Sequence, residues 1–381
     1  IMILEKQDTF YVADKVMKYF KDFNRIDDYF RARKIERVKD MPVGLPGMSI
    51  EDELFQDFDM HPEDMDFEVV KMTGEVYDTL IEKTASFSPD ENPGKTLKLV
   101  VKEKTTNTIV GFIRYGSPLI NSKPRNDFLG GVPDLDIFNK RAIMGFHIVP
   151  SQPWGFNCLG GKLLVLIACS HNTRRMLNDR YDNEFALFET TSLYGNLKTA
   201  NGGASMYDGC RPYLRFAGMT ESKFLLTLGE EIYPELKDWF TERNGGVELV
   251  PVKTDKGIPT ASRKLKLQTK FVQIIKNNLK EYDAKGYQIF CDAIDKASDV
   301  TTKKRFFMST YGYSNARDVL LGKTDTLIKG DQFDKFEMEN IVKWWKKKAT
   351  KRYNNIVADG RIRKELEVWN EDTMNKIDII R

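Results

Sequence analysis

The sequence predicts an α/β chain: a mixed-sheet domain with a helix before it and a mostly helical, basic module after it. Three observations predict this. Short apolar or alternating runs intersperse with helix-like segments between residues 66 and 228. One such run, Ala142 to Val149, enters a loop rich in Gly, Pro and Asn that opens into the apolar run Gly161-Lys162-Leu163-Leu164. Beyond Leu265, apolar residues recur at three- and four-residue spacing among many lysines.

Taken in order, residues 9 to 39 read as helix, with Val12, Val16, Phe20 and Phe23 on one face. Residues 41 to 66 are acidic and punctuated by Pro and Gly, which marks a connector. FEVVKM reads as a strand, and GEVYDTLIEKTASF as a helix ending near Ser88-Pro89. TLKLVVKE and TIVGFIRYG form a hairpin across Thr105-Thr106-Asn107. Ser117 to Lys140 reads as a looped insert. The glycine loop, its helix and a strand from Glu184 to Thr191 follow. A helix-like turn and a strand at Tyr213 to Ala217 close the domain. EEIYPELKDWFTERN is a further helix before an irregular linker. The expected divisions are 1–65, 66–228, 229–265 and 266–381.

Composition is that of an ordinary globular protein, with 41% apolar and 30% charged residues. No apolar run reaches the length of a membrane span, and the first residues lack a secretory pattern. Cys158, Cys169, Cys210 and Cys291 are scattered singly, which suits a reducing cytoplasm and argues against a zinc ribbon. His61, His147 and His171 show no metal spacing, so no metal site is expected. The net charge of +3 hides an asymmetry: Pro251 to Arg381 holds 28 Lys and Arg against 18 Asp and Glu. That points to a polyanion partner, with a solvated helical surface as the alternative.

The glycine loop suggests a cradle for a phosphorylated cofactor, because N–H groups at a helix start point at an anion. Gln152, Gly155, Asn157, Gly160, Gly161 and Lys162 form it, after Ile148 and Val149 of the strand. Glu189 and Ser192 end the following strand, where polar groups of α/β domains meet ligand. Glu189 is the candidate general base, Ser192 or Tyr194 a substrate-orienting group, Tyr207 or Tyr213 a general acid, and His147 a further catalytic candidate. Arg174 and Arg175 are candidates for holding a phosphate. The basic-aromatic run Lys343 to Tyr353 is the strongest binding signal. In it Trp344, Trp345, Lys346, Lys347, Lys348, Lys351, Arg352 and Tyr353 suit phosphates and unpaired bases. Lys303, Lys304, Arg305 and Arg317 repeat the theme.

The order strand, helix, three strands, glycine loop, helix, strand, turn, strand resembles the N-acetyltransferase (GNAT-like) fold. That resemblance implies acetyl-CoA or a related acyl-CoA as cofactor. Its pyrophosphate would sit on the loop, and a strand N–H near Ile148 or Val149 would polarise the thioester. The usual family loop has a second small residue where this chain has Asn157. IVGFIRYGSP, Arg125 with Asp127, MGFHIVPSQPWGFNCLGGKLL, ALFETTSLYG and SMYDGCRPYLRFAGMTES carry a closer resemblance. It is to the Druantia-type anti-phage DruA proteins and the phage Mom DNA-modification enzymes, and it covers the second region only. It implies DNA as partner and, on the Mom side, acyl-type modification of an exocyclic base amine that protects phage DNA from restriction. The rivals are a nucleic-acid-binding protein on the same fold without chemistry, and a magnesium-dependent nuclease or transposase-like enzyme using Asp127, Asp134 and Asp136.

Overall fold

The structure, a computed structural model, describes residues 2–41, 47–72, 74–193, 206–223 and 225–379. The chain forms two compact units, each assembled from two separated stretches. One comprises Ile1–Asp40 with Lys223–Thr302, the other Met41–Ser222 with Lys303–Arg381. The expected basic module at 266–381 is therefore divided between them, because its first helices and its last helix bury their apolar faces in different cores.

The first unit is helical. It contains α1 (Lys6–Phe20), α2 (Ile26–Val38), α10 (Ile232–Arg243), α11 (Arg263–Tyr282) and α12 (Ala284–Asp299). The single helix expected over residues 9 to 39 is two helices. Arg25 adopts extended backbone, and the Asp28 carboxylate accepts from its N–H to start α2. Phe240 of α10 stacks on Phe271 of α11 with ring centroids 4.5 Å apart. The Arg33 guanidinium is buried and bonds the Leu228 carbonyl and Glu230.

The second unit is built on a seven-stranded sheet in the order β1-β2-β3-β4-β5-β7-β6. Its strands are β1 (Phe67–Lys71), β2 (Thr96–Glu103), β3 (Thr108–Gly116), β4 (Ala142–Pro150), β5 (Leu187–Ser192), β6 (Arg215–Lys223) and β7 (Lys303–Ser309). Strands β1 to β4 pair antiparallel, β4 and β5 run parallel, and β5 and β7 are antiparallel. The mixed sheet matches the expected fold class. Strand β7 falls in the basic-aromatic run at Lys303 to Phe307, which the sequence does not mark as a strand. Phe306 and Met308 are buried on one face of the sheet and Phe307 on the other, which explains why this distant segment joins the sheet.

The "looped insert" contains two helices, α5 (Lys123–Leu129) and α6 (Leu135–Arg141). The Asp134 carboxylate caps α6 by accepting from two backbone N–H groups. Two layers cover the sheet. On one face lie α7 (Trp154–Cys158), α8 (Gly160–Ala168), α9 (His171–Tyr181) and α14 (Met338–Ala358). On the other lie α3 (Ile50–Glu53) and α4 (Gly74–Thr84) over β2 and β3, and α5, α6 and α13 (Ala316–Leu320) over β4, β5 and β7. Helix α8 is apolar all round, as a helix buried between a sheet and other helices must be.

Candidate functional site

Strands β4 and β5 pair only from Ala142↔Leu187 to Gly145↔Thr190, and then part. The Thr190 hydroxyl donates to the Gly145 carbonyl at 3.0 Å and closes the last rung. Beyond it, β4 continues with His147, Ile148 and Val149 paired only to β3. A bulge at Arg114/Tyr115 turns the strand there. The two strands form a wedge that opens beyond Gly145 and Thr190.

The loop that leaves the wedge is differently built. Residues 154–158 form a helical turn, and Leu159 at φ 55° breaks the path before α8 begins. The loop satisfies most of its own donors. The Gly155 N–H donates to Ser151, Phe156 N–H to the Gln152 amide oxygen at 3.0 Å, and Asn157 N–H to Pro153. Helix α14 and the segment after it take up further polar groups of the loop. Asn157, buried, clasps Arg363 by donating to its carbonyl at 2.7 Å and accepting from its N–H at 3.1 Å. Trp345 Nε1 donates to the Cys158 carbonyl at 2.9 Å, and Glu367 N–H to that of Gln152. Trp154 fills the space beside Gly160, and the Met206 thioether that beside Gly161: a Cβ on either glycine would approach within 2.3 Å. The glycines are there to let side chains in. Lys162 is half-buried, with its ammonium against Gly209.

Glu189 is buried in an ion pair with Arg125, at 3.1 and 3.3 Å to its two oxygens. The Arg125 guanidinium also donates to the Leu119 and Ile120 carbonyls and lies over the Phe138 ring at 4.1 Å. Burial raises the Glu189 carboxyl from 4.5 to about 7, against the pull of the Arg125 charge. A general base needs a path to its proton, and Glu189 is 1% exposed. His147 is buried in mid-strand. Ser192 is half-buried at the end of β5. Tyr207 is half-buried in the turn Met206–Cys210 and packs edge-on against Phe307. Burial raises its hydroxyl above the ordinary range. Tyr213 lies in the core before β6, which starts at Arg215 rather than at the expected Tyr213. Tyr194 lies outside the described residues.

Arg174 is not a phosphate clamp. It is buried beside Tyr311, Tyr313 and Phe333, and its Nε donates to His171 Nδ1 at 3.1 Å. Arg175 pairs with Glu337. Burial lowers His171 to about 4, so it stays neutral and bonds the Phe333 carbonyl.

In α14, Ile341, Trp345, Ala349, Tyr353 and Ile356 form the buried face. Trp345 faces the core and does not reach the solvent. It packs on Phe67 and Trp154, while Tyr353 donates to the Phe58 carbonyl. Trp344 is half-buried against Tyr213, under the Lys348 ammonium. Lys343, Lys347, Lys348 and Lys351 are exposed; Lys346 reaches the Glu63 carbonyl. Arg352 and Arg363 both lie over the Phe156 ring, at 4.7 and 4.0 Å. A groove of about 920 Å³ between α14 and β1 is lined by both signs of charge, among them Lys343, Lys347, Glu63 and Glu68. Elsewhere, Lys303 is exposed, Lys304 is half-buried with its ammonium depressed by burial, and Arg317 lies over Phe128. Arg305 pairs with Asp208.

Asp127 pairs with Lys123 and Asp134 caps α6. Among the described residues, no three His, Cys, Asp or Glu side chains are placed to hold a metal ion, and no helix is long and apolar enough to cross a membrane. No curated protein and no solved structure matches the chain. The resemblances to phage Mom enzymes and N-acetyltransferases therefore stay expectations of the motif reading. Strands β1 to β6, the wedge and its loop lie within residues 60–248, the stretch that matches the family model described as Druantia protein DruA.

Proposed function

We propose that this chain is a Druantia-type protein that binds duplex DNA through its phosphates, using the exposed cations of α14. The observation that carries the reading is the division of labour on that helix. Its aromatic residues Trp345 and Tyr353 face the core, and Lys343, Lys347 and Lys351, spaced by one turn, stand in water beside Lys348. Lysines so placed neutralise phosphates and release counterions. With Trp345 and Tyr353 withdrawn into the core, little is left to stack on unpaired bases. Binding is then insensitive to sequence and favours no single-stranded form. Replacing Lys347, Lys348 and Lys351 with alanine is expected to weaken duplex binding for every sequence alike. The slope of log K against log salt should fall by about 2–3, roughly one per lysine. An unchanged slope removes α14 from the interface.

The diverging β4/β5 pair favours a second reading, acyl transfer from a coenzyme A thioester. In the loop, the Gly155, Phe156 and Asn157 N–H groups are engaged and the Asn157 side chain is committed to Arg363, which leaves the start of α8 at Gly160 and Gly161 to meet a pyrophosphate. Titration with acetyl-CoA separates the two readings: a saturable rise in melting temperature supports the transferase reading, and an unchanged melting temperature leaves DNA binding alone.

A further inference from the structure

Lys98, Arg114 and His147 stand side by side on three neighbouring strands, in register across β2/β3 and β3/β4. Residues paired in this way project from one face. Here it is the face of Phe112 and Tyr77 beneath α4, opposite the layer that contains α14. Lys98 is neutralised by Asp78 and Glu91, at 2.7 and 2.5 Å.

Arg114 is not. It is 3% exposed, yet among the described residues no carboxylate lies within ion-pair distance of it. Its Nη2 donates one long bond, 3.4 Å, to the Pro89 carbonyl, and its Nε has no partner. Glu91, Asp78 and Asp90 act on it only from a distance. The Tyr77 hydroxyl, fully buried, also lacks a partner, and its ring packs edge-on against Phe112 at 5.8 Å and under the Lys98 ammonium at 5.6 Å, the strand neighbours of Arg114 on this face. Native proteins rarely leave two neighbouring buried donors unmet, and an uncompensated buried cation is strongly destabilising.

A water molecule could meet the donors but would leave the charge balanced only by carboxylates beyond ion-pair distance. An acceptor with negative charge on more than one oxygen meets both needs, since the guanidinium edge and the hydroxyl ask for separate acceptor atoms. We propose that Arg114 and Tyr77 form a buried site for an oxyanion, a phosphoryl or carboxylate group, admitted beneath the loop at residues 86–94. That loop carries the Pro89 carbonyl, which Arg114 reaches at 3.4 Å, and its residues 91–94 are exposed. The site lies outside the α14 surface and does not depend on the DNA reading.

The test is a thermal-shift titration of the full chain with inorganic phosphate and, separately, acetate, against chloride at equal ionic strength. Phosphate or acetate is expected to raise the melting temperature by roughly 5 °C at a hundred times Kd. The more effective of the two identifies the chemistry of the ligand's acid group. Arg114→Met should abolish the rise and, without anion, melt no lower than the wild type, because an apolar side chain of like size removes the unpaired charge. Should that variant fail to fold, Tyr77→Phe keeps the ring and is expected to weaken anion binding about tenfold. The Lys347, Lys348 and Lys351 alanine variant should keep the full rise. A shift equal to that in chloride, or one undiminished in both Arg114→Met and Tyr77→Phe, overturns the assignment.

Discussion

Replacing Trp345 with alanine is expected to destabilise the sheet unit by about 3–5 kcal/mol, the range for deleting a large aromatic from a core. Trp345 is fully buried, packs edge-on against Phe67 of β1 at 5.3 Å and lies 6.1 Å from Trp154 of α7. Alanine would leave a cavity between the sheet edge and the glycine loop. It would also strip the Cys158 carbonyl of the Trp345 indole N–H. Urea denaturation of both proteins gives the difference directly. A base-stacking role predicts the opposite pair of results: unchanged stability, and a loss of nucleic-acid affinity in the folded variant. The half-buried Trp344 serves as internal control, with a smaller cost expected for its alanine variant.

Arg125→Ala is expected to cost about 3–5 kcal/mol, because it leaves a buried carboxyl facing an empty space. Replacing Arg125 and Glu189 together with Met should cost much less, since the pair repays its own desolvation poorly. Glu189 also predicts a pH dependence. Its folded pKa, about 7, is raised above the unfolded 4.5. The folded state therefore holds a proton that the unfolded state has released between those values. Stability from this group is fully present below pH 4.5, declines as pH rises towards 7, and is flat above. Glu189→Gln, which cannot ionise, should remove that decline. A wild-type stability difference from Glu189→Gln that stays constant from pH 4.5 to 7 would show a carboxylate ionised throughout.

Much of the sheet was legible because its signals are local. Alternation in TLKLVVKE and TIVGFIRYG, with the intervening turn, specifies a hairpin without help from elsewhere. The loop's glycines were legible as a place where something approaches the backbone closely. What approaches was not, because a glycine reports space and not its occupant. Here the occupants are the side chains of Trp154 and Met206. Asn157 broke the expected motif, and its reason sits 206 residues away in the backbone of Arg363. Arg114 carries a signal in the sequence itself. It is a cation inside the apolar run TIVGFIRYG, at a position facing the same layer as Phe112.

The sequence by itself determined the mixed α/β class, the order of the first five strands, the loop before α8 and the cationic character of α14. Each follows from hydrophobic period, turn residues or charge within a window of a few residues. Only the tertiary structure decided that β7 completes the sheet, that the basic C-terminal stretch serves two units, and that Trp345 and Tyr353 are core. It also decided that Glu189 is locked to Arg125 while Arg114 stands without a counter-charge. Those outcomes depend on which side chains share a buried space, and the burial of a charge or an aromatic ring is set by partners far along the chain.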